Sequence, residues 1–239
     1  MGLKKVIKSI IPRFLLKRLK KGRPQVREQS TPVKAENDQN PKEQNLVLYW
    51  DPEYAKVLDE WGKDSTWNEI QLLLCTSSGK VLDIACGTGI TIEILSKFRN
   101  LDLYGFDISE LLIEKAVERG IDRSKLKVAD ATKSNYAENE FDYSYSIGSL
   151  EHFTEEGIEK FIEQSSKITK RASFHMIPVS RSNLNEGWMT TVQSFFNNSE
   201  DWWKSKFEAN YDEVYPVPSK WEDDISFGRW FICVNNTMN

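Results

Sequence analysis

Cysteine, histidine and long apolar runs are all scarce in this chain of 239 residues. The three cysteines, Cys75, Cys86 and Cys233, show no CxxC or Cys/His spacing, so neither a disulfide framework nor a structural zinc site is indicated. We therefore expect a reducing compartment and no bound metal. No apolar run approaches the ~20 residues that a membrane-spanning helix needs. These absences favour a protein that is soluble or bound to a membrane surface.

Positive charge is concentrated at one end of the sequence. The net charge is −4, yet nine of the 32 lysine and arginine residues fall within residues 1–23, which contain no acid. The remainder holds 23 basic and 36 acidic side chains, a balance of −13 with histidine neutral. A body this acidic disfavours nucleic acid as a partner. The length predicts one globular domain.

Residues 1–23 have the pattern of a basic amphipathic helix, which Pro12 is expected to kink. Three interpretations stay open: an anchor on an anionic membrane surface, a mitochondrial presequence, or a solvated basic tail. We expect a cytoplasmic protein, peripheral at the membrane under the first interpretation and mitochondrial under the second. Residues 24–45 lack aromatic side chains and are predicted to form a disordered linker.

Strand and helix patterns alternate along the middle of the chain. Strands are predicted at 80–86, 101–107, 125–130, 141–148 and 172–177, and helices at 90–98, 110–119 and 155–168. This alternation is typical of an α/β protein with a parallel sheet covered on both faces. Ligands of such sheets bind outside the carboxyl ends of the strands, so we look for function there.

Glycines and acids follow the first three strands at regular intervals. The first strand continues as Asp83-Ile84-Ala85-Cys86-Gly87-Thr88-Gly89 into a helix, and its glycines let a ligand approach bare backbone. Asp107 and Asp130 end the next two strands, where a carboxylate can accept ribose hydroxyls. The set predicts a nucleoside site. An NAD(P)-dependent oxidoreductase is the weaker alternative, because Ile92 replaces the third glycine of the dinucleotide fingerprint.

Four segments resemble successive motifs of class I S-adenosylmethionine-dependent methyltransferases, closest to the small-molecule type called methyltransferase type 11. They are Val81–Gly89, Phe106–Ser109, Val128–Ala131 and Phe141–Phe153. The resemblance covers about residues 67–178. It implies a Rossmann-like, doubly wound, seven-stranded sheet of order 3-2-1-4-5-7-6, with the last strand antiparallel, in a single domain.

The same resemblance implies a set of contacts to S-adenosylmethionine at the strand ends. They are Asp83, Ala85, Gly87 and Gly89 in the first motif, toward the methionine part, then Asp107 for the ribose hydroxyls, Ile108 for the adenine face, Asp130 with Ala131 for the adenine edge, and Ile147 for the methionine part. The implied domain spans residues 46–239. It divides into cover helices at 46–78, a cofactor-binding core at 79–178, and a substrate cover with a terminal hairpin at 179–239.

Catalysis by direct displacement requires removal of a proton where the acceptor is a hydroxyl. His152 follows the fourth strand directly and is the preferred general base, with Glu151 as an alternative base or orienter. The opposing interpretation is a Leu-Glu-His turn that only closes the strand. His175, predicted near the end of the fifth strand beside the cofactor edge, is interpreted as a core histidine, and Cys86 as a small apolar residue.

The acceptor is the least defined part of the prediction. Five tryptophans between residues 188 and 230 either shape the acceptor site or belong to the core. Asn68 and Glu69 are interpreted as able to reach the methionine part. The leading hypothesis is a methyltransferase acting on a small-molecule or lipid- or glycan-linked acceptor; the alternative is a non-catalytic, methyltransferase-like assembly or scaffolding subunit.

Overall fold

The computed structural model describes residues 33–34, 44, 46–191 and 193–235. The basic segment 1–23 lies outside these ranges, so all three interpretations of it remain predictions. Strand β1, Val33–Lys34, lies within the predicted linker. Its backbone pairs antiparallel with Met189 and Thr190. The linker prediction is wrong for those two residues. Within the described ranges, no helix is both long and apolar enough to cross a bilayer.

Helices and strands alternate up to the sixth strand, after which strands predominate. The first group comprises a 3-10 helix at Val47–Trp50, α1 Pro52–Leu58, α2 Thr66–Leu74, β2 Gly79–Ile84, α3 Ile90–Leu95, β3 Leu101–Asp107, α4 Glu110–Glu118, a 3-10 helix at Arg123–Lys125, β4 Leu126–Val128, β5 Phe141–Ile147 and a 3-10 helix at Leu150–His152. The second comprises α5 Glu155–Ile168, β6 Thr169–Ser180, β7 Trp188–Thr190, β8 Phe195–Phe196, α6 Glu200–Glu208, β9 Glu213–Glu222 and β10 Ser226–Val234.

The central sheet has seven strands in the order β4-β3-β2-β5-β6-β10-β9. Strands β2 to β6 pair in parallel, whereas β10 runs antiparallel to both of its neighbours. Counting these seven strands along the chain gives 3-2-1-4-5-7-6 with an antiparallel seventh strand, so the predicted fold is confirmed. A small second sheet has the order β1-β7-β8.

Alternate residues of each strand pack on opposite faces of the central sheet. On β2, Val81 joins a cluster with Ile70 and Leu74 of α2, while Leu82 joins one with Phe161 of α5. Both faces are therefore covered, and the carboxyl edge of the parallel strands is left for a site. Of the helices that lead away from this edge, α4 and α5 begin at capping side chains; Ser109 Oγ accepts from the Leu112 amide at the start of α4, and Thr154 accepts from the Gly157 amide at the start of α5.

Strand β6 extends further than its sequence pattern predicts. It runs from Thr169 to Ser180, and residues 172–180 pair with β10 along their whole length. His175 therefore lies in the middle of the strand, which corrects the expectation that both histidines stand at the cofactor edge. Its imidazole is fully buried, with Nδ1 2.8 Å from Ser146 Oγ and Nε2 3.3 Å from Ser165 Oγ. The interpretation of His175 as a core histidine is confirmed.

Candidate active site

The turn between β2 and α3 presents backbone rather than side chains. Ala85, Gly87 and Gly89 have φ values of 60°, 53° and 73°, in the left-handed region that favours glycine. A Cβ atom on Gly89 would lie 2.4 Å from Ile121 Cδ1, so packing alone requires a glycine there. A Cβ atom on Gly87 would meet only Leu58 Cδ1, at 3.6 Å. Space beside Gly87 thus leaves its backbone open to a ligand.

Asp107 at the end of β3 fixes this turn. Its Oδ2 accepts a hydrogen bond from the Gly87 amide and its Oδ1 from the Ser109 amide, each at 2.9 Å. Burial raises the pKa of Asp107 to about 6, and the backbone donors limit the rise. A carboxylate oxygen has two lone pairs, so each can still accept a ribose hydroxyl. Ile108, the predicted adenine contact, is half-buried beside it.

Asp83 is buried within β2 and bonds to hydroxyl groups alone. Its Oδ2 accepts from Thr91 Oγ1 at 2.5 Å, and Tyr145 in turn donates to Thr91 Oγ1 at 3.2 Å. Burial raises the pKa of Asp83 to about 7. Over the described ranges, no lysine or arginine bonds to it. A ligand ammonium group placed beside this carboxyl would stabilise its ionised form, which fits an amino-acid-bearing nucleoside.

Asp130, just after β4, hydrogen-bonds within its own turn. Its Oδ1 accepts from the amide and the hydroxyl of Thr132, at 2.9 and 2.7 Å, and Lys133 Nζ lies 3.4 Å from Oδ2. Partial burial opposes ionisation, but these partners outweigh it and lower the pKa of Asp130. Ala131 beside it is buried. Their contact with an adenine edge therefore stays a prediction.

Of two further interpretations from the sequence, the one for Cys86 is confirmed and the one for Glu69 is wrong. Cys86 is buried and its thiol pKa is raised by desolvation, so its interpretation as a small apolar residue is confirmed. Glu69 accepts instead from Trp230 Nε1 and Ser219 Oγ, both at 2.7 Å, and from the Lys220 amide at 2.6 Å. It fastens α2 to the β9–β10 hairpin, and its assignment to the methionine part is wrong.

The tryptophan-rich segment contributes more to the core than to a substrate surface. Trp203 in α6 and Trp230 in β10 are 0% and 1% exposed. Trp221 is half-buried and its ring centroid lies 5.7 Å from that of Trp61. Trp61 in turn lies against Gly148, which directly follows Ile147 at the end of β5. Of these rings, Trp61 and Trp221 are the ones connected to the strand edge.

Five side chains near the end of β5 form a second group, here called the polar cluster: Tyr49, Tyr54, Glu151, His152 and Gln193. Gln193 Nε2 donates to the Tyr49 hydroxyl at 2.9 Å, and the Tyr54 hydroxyl donates to Gln193 Oε1. His152 Nε2 lies 3.6 Å from Glu151 Oε1. The structure thus places the two predicted catalytic residues together and adds three members that were not predicted.

The two catalytic candidates are held in their neutral forms. Burial lowers the pKa of His152 to about 4 and raises that of Glu151 to about 8. His152 Nδ1 lies 2.8 Å from the Ser194 carbonyl oxygen. Because a carbonyl only accepts, Nδ1 carries the proton and Nε2 keeps its lone pair. His152 is therefore in the form that a general base requires.

The polar cluster is continuous with the cofactor edge. Ser109 Oγ, at the last residue of the second motif, donates to the Tyr49 carbonyl oxygen at 2.5 Å. Burial raises the pKa of the Tyr49 hydroxyl, and the charges of Asp107 and Glu151 raise it further. Sequence reasoning missed Tyr49, Tyr54 and Gln193 because 144 and 139 residues separate the two tyrosines from Gln193.

The strand order of the central sheet defines a Rossmann-like α/β fold of the methyltransferase type. A family model described as a methyltransferase domain matches residues 81–172. This part of the chain therefore matches a methyltransferase domain. The match favours this reading over the oxidoreductase.

Curated relatives resemble this chain over part of their length. Phosphoethanolamine N-methyltransferase 1 from Triticum aestivum is 34% identical over 94 residues, which are 38% of this chain and 19% of that protein. Methyltransferase GfsG from Streptomyces halstedii is 32% identical over 110 residues, which are 44% of this chain and 40% of that protein. The chain therefore spans less than half the length of either relative.

A solved structure shares the fold over most of the chain. It is the Burkholderia thailandensis 1,6-didemethyltoxoflavin-N1-methyltransferase, crystallised with its acceptor and S-adenosylhomocysteine. The TM-score is 0.60 and the identity 15%, over 87% of this chain and 100% of that one. At this identity the likeness shows the fold alone.

Proposed function

We propose that this domain transfers a methyl group from S-adenosylmethionine to a small-molecule acceptor. The observation that carries the proposal is the geometry around Asp107, whose carboxylate organises the bare glycine turn at the carboxyl edge of the sheet. A preformed backbone cradle beside a buried acid suits a nucleoside with ribose hydroxyls. The small-molecule class is supported by the relatives, whose names include phosphoethanolamine and toxoflavin derivatives.

The residues assigned to the cofactor divide its parts among the strand ends. The assignment is Asp83 to the amino group, the backbone of Ala85, Gly87 and Gly89 to the carboxyl end, Asp107 to the ribose, Ile108 to the adenine face, Asp130 and Ala131 to the adenine edge, and Ile147 to the methionine part. When bound, S-adenosylmethionine supplies a methyl group already activated by a sulfonium centre. The protein then has to exclude water, align the acceptor and accept its proton.

The polar cluster is the part of the chain suited to the acceptor. His152 offers an unprotonated Nε2, oriented because Nδ1 is bonded to the Ser194 carbonyl. Glu151 lies beside it as a second proton acceptor or as the group that orients the ring. A non-catalytic scaffold has no use for a free imidazole lone pair and a buried acid at the cofactor edge, so this arrangement favours catalysis.

Calorimetry with S-adenosylhomocysteine tests the binding step. We expect binding by the full chain, and a loss of about a hundredfold in Asp107→Ala, which removes two charge-assisted hydrogen bonds and the ribose acceptor. Asp102→Ala is the matched control, because Asp102 is on the same strand but bonds Lys125 at the surface. No binding by the wild type, or equal binding by Asp107→Ala, would contradict the proposal.

Methyl transfer needs a separate test. Labelled S-adenosylmethionine is incubated with the protein and a metabolite extract, and small-molecule, lipid and glycan fractions are counted. Label in the small-molecule fraction supports the proposed acceptor class, while label in a lipid or glycan fraction supports the alternative acceptor. Binding without transfer to any fraction would support the scaffold.

We also propose a location, on the sequence alone. Residues 1–23 attach the domain to an anionic membrane, so the full chain should sediment with phosphatidylserine-containing vesicles and not with phosphatidylcholine vesicles. A chain lacking residues 1–23 that still sediments would contradict this attachment.

A further inference from the structure

We propose that Glu151 is the acceptor-binding group of the domain and that the acceptor presents an amine to it. The inference rests on the proposed methyl transfer and narrows it to one class of nucleophile. It also separates the roles of the two candidate residues, with Glu151 in contact with the acceptor and His152 beside it.

The first observation is an unused hydrogen-bonding position. Glu151 is 2% exposed, and its Oε2 has no hydrogen-bond partner among the described residues. Leaving such an atom buried and unpaired costs about 1–3 kcal/mol, so buried polar atoms are ordinarily paired. The other unpaired buried side-chain atom of the described chain, Trp203 Nε1, lies in the core. Only Glu151 stands in a cluster beside the cofactor edge.

The second observation is the sign of the charges around this carboxyl. From the segment that covers it, Tyr49 and Tyr54 interact electrostatically with Glu151, and Tyr49 also with Asp107. From its own turn comes neutral His152, and from the β8 side come the Ser194 carbonyl and the ring of Phe195, 6.4 Å from the imidazole. In the described ranges, no lysine or arginine appears among the interactions of these residues.

This arrangement selects the charge of a ligand. An acceptor with a carboxylate or phosphate at its reacting end would face Asp107, and Glu151 whenever it is ionised, without a compensating cation, which is unfavourable. An ammonium group favours the ionised form of Glu151 and gains a charge-assisted hydrogen bond to its Oε2. A hydroxyl gains one neutral hydrogen bond. The cluster therefore favours an amine, and any phosphate on the acceptor must lie away from it.

The same contact supplies the reactive form of the amine. Glu151 is neutral in the free protein, and an ammonium group bound beside it favours loss of the carboxyl proton to water. An ammonium proton then passes to the ionised Glu151 Oε2, which leaves a neutral amine with a lone pair and a neutral carboxylic acid. That lone pair forms the new nitrogen–carbon bond while the electron pair of the broken carbon–sulfur bond stays on sulfur. Positive charge thus ends on nitrogen, and the carboxyl later returns its proton to water. Burial favours proton uptake by Glu151 over uptake by His152.

The test uses three probes with one skeleton: 2-phenylethylamine, 2-phenylethanol and phenylacetate. Their binding to the full chain saturated with S-adenosylhomocysteine is measured by calorimetry, for the wild type, Glu151→Gln and Glu156→Gln. Glu156 is the matched control because it is exposed on α5, where it pairs with Lys160. We expect the wild type and Glu156→Gln to prefer the amine by about ten- to a hundredfold, and Glu151→Gln to lose that preference.

Saturation with S-adenosylhomocysteine separates two kinds of failure. If the wild type does not bind S-adenosylhomocysteine, the proposed function itself fails. If it binds and the probes show no amine preference, or none of them binds, the amine inference alone is overturned. An amine preference that survives in Glu151→Gln, with S-adenosylhomocysteine still bound, would equally overturn the role of Glu151.

Discussion

The two ends of the site hold their buried carboxyl groups in different ways. At the β2–β3 end, Asp107 accepts two backbone hydrogen bonds and Asp83 one from the Thr91 hydroxyl, all from residues within 20 positions along the chain, and Tyr145 of β5 adds a second hydroxyl beside Asp83. At the β5 end, Glu151 has an unpaired oxygen and interacts electrostatically with Tyr49 and Tyr54, while His152 beside it contacts the Ser194 carbonyl and Phe195. The first end is built mainly by local backbone, the second by segments that are distant in sequence.

This difference matches what each end has to bind. A cofactor common to a whole class can be recognised by a fixed backbone turn and invariant hydrogen-bond geometry. An acceptor varies between enzymes, and side chains on loops and covers can vary without disturbing the strands beneath them. Under this proposal, the unpaired Glu151 Oε2 at the β5 end is the atom that binds the acceptor.

The largest effect is expected where the turn is broken. Gly89→Ala should destabilise the fold by about 3 kcal/mol or more, because the new Cβ adds left-handed strain and overlaps Ile121 and Ala116. Gly120→Ala is the control: its φ is also positive, at 99°, but nothing lies within 4 Å of the added Cβ. It should cost only about 1–2 kcal/mol, from the left-handed backbone alone. Urea unfolding measures both, and equal losses would contradict the packing argument.

The affinity for S-adenosylhomocysteine should depend on pH through Asp83. Its pKa of about 7 in the free protein means that the carboxyl is increasingly protonated as pH falls, whereas the ligand ammonium requires it ionised. We expect binding to weaken by about a hundredfold between pH 8 and pH 5 from this residue alone. Asp83→Asn should bind weakly with a flat profile from pH 8 to 6.5. Calorimetry across that range that shows a flat wild-type profile would refute the ionic role.

The core histidine should make the stability of the fold, too, decline as pH falls. Burial lowers the pKa of His175 to about 3, while the unfolded chain binds the proton at its ordinary value of about 6.5. Its contribution is therefore complete above pH 6.5 and declines as pH falls toward 3, by about 1.4 kcal/mol per unit. His175→Gln should lose about 2 kcal/mol less than the wild type between pH 6.5 and 5. Parallel urea-unfolding curves for the two proteins would contradict this.

The smallest effect is expected from loosening the β5 end. Gln193→Ala removes the hydrogen bonds to Tyr49 and Tyr54, so amides of residues 47–58 should exchange with deuterium about tenfold faster. The affinity for S-adenosylhomocysteine should change by less than about twofold, since Gln193 bonds to neither Asp83 nor Asp107. If Gln193→Ala also weakened S-adenosylhomocysteine binding by about tenfold, the two ends of the site would not be independent.

Sequence patterns predict the first end of the site much better than the second. The glycine turn, Asp107 and the Ser109 cap are contained in short motifs, and the strand order follows from the family resemblance. The position of His175 was misjudged because pairing with β10 lengthens β6. Glu69 was misassigned because its partners lie about 150 residues later. No local sequence pattern predicts the contacts of Gln193 with Tyr49 and Tyr54, because only tertiary packing brings these three residues together.

A crystal structure of the full chain with S-adenosylhomocysteine tests the central claim most directly. The account predicts ribose hydroxyls on Asp107, the amino group beside Asp83, and the sulfur atom facing the polar cluster with Glu151 Oε2 open toward it. A nucleoside bound away from the Gly87 turn, or a sulfur atom facing away from Glu151 and His152, would contradict it.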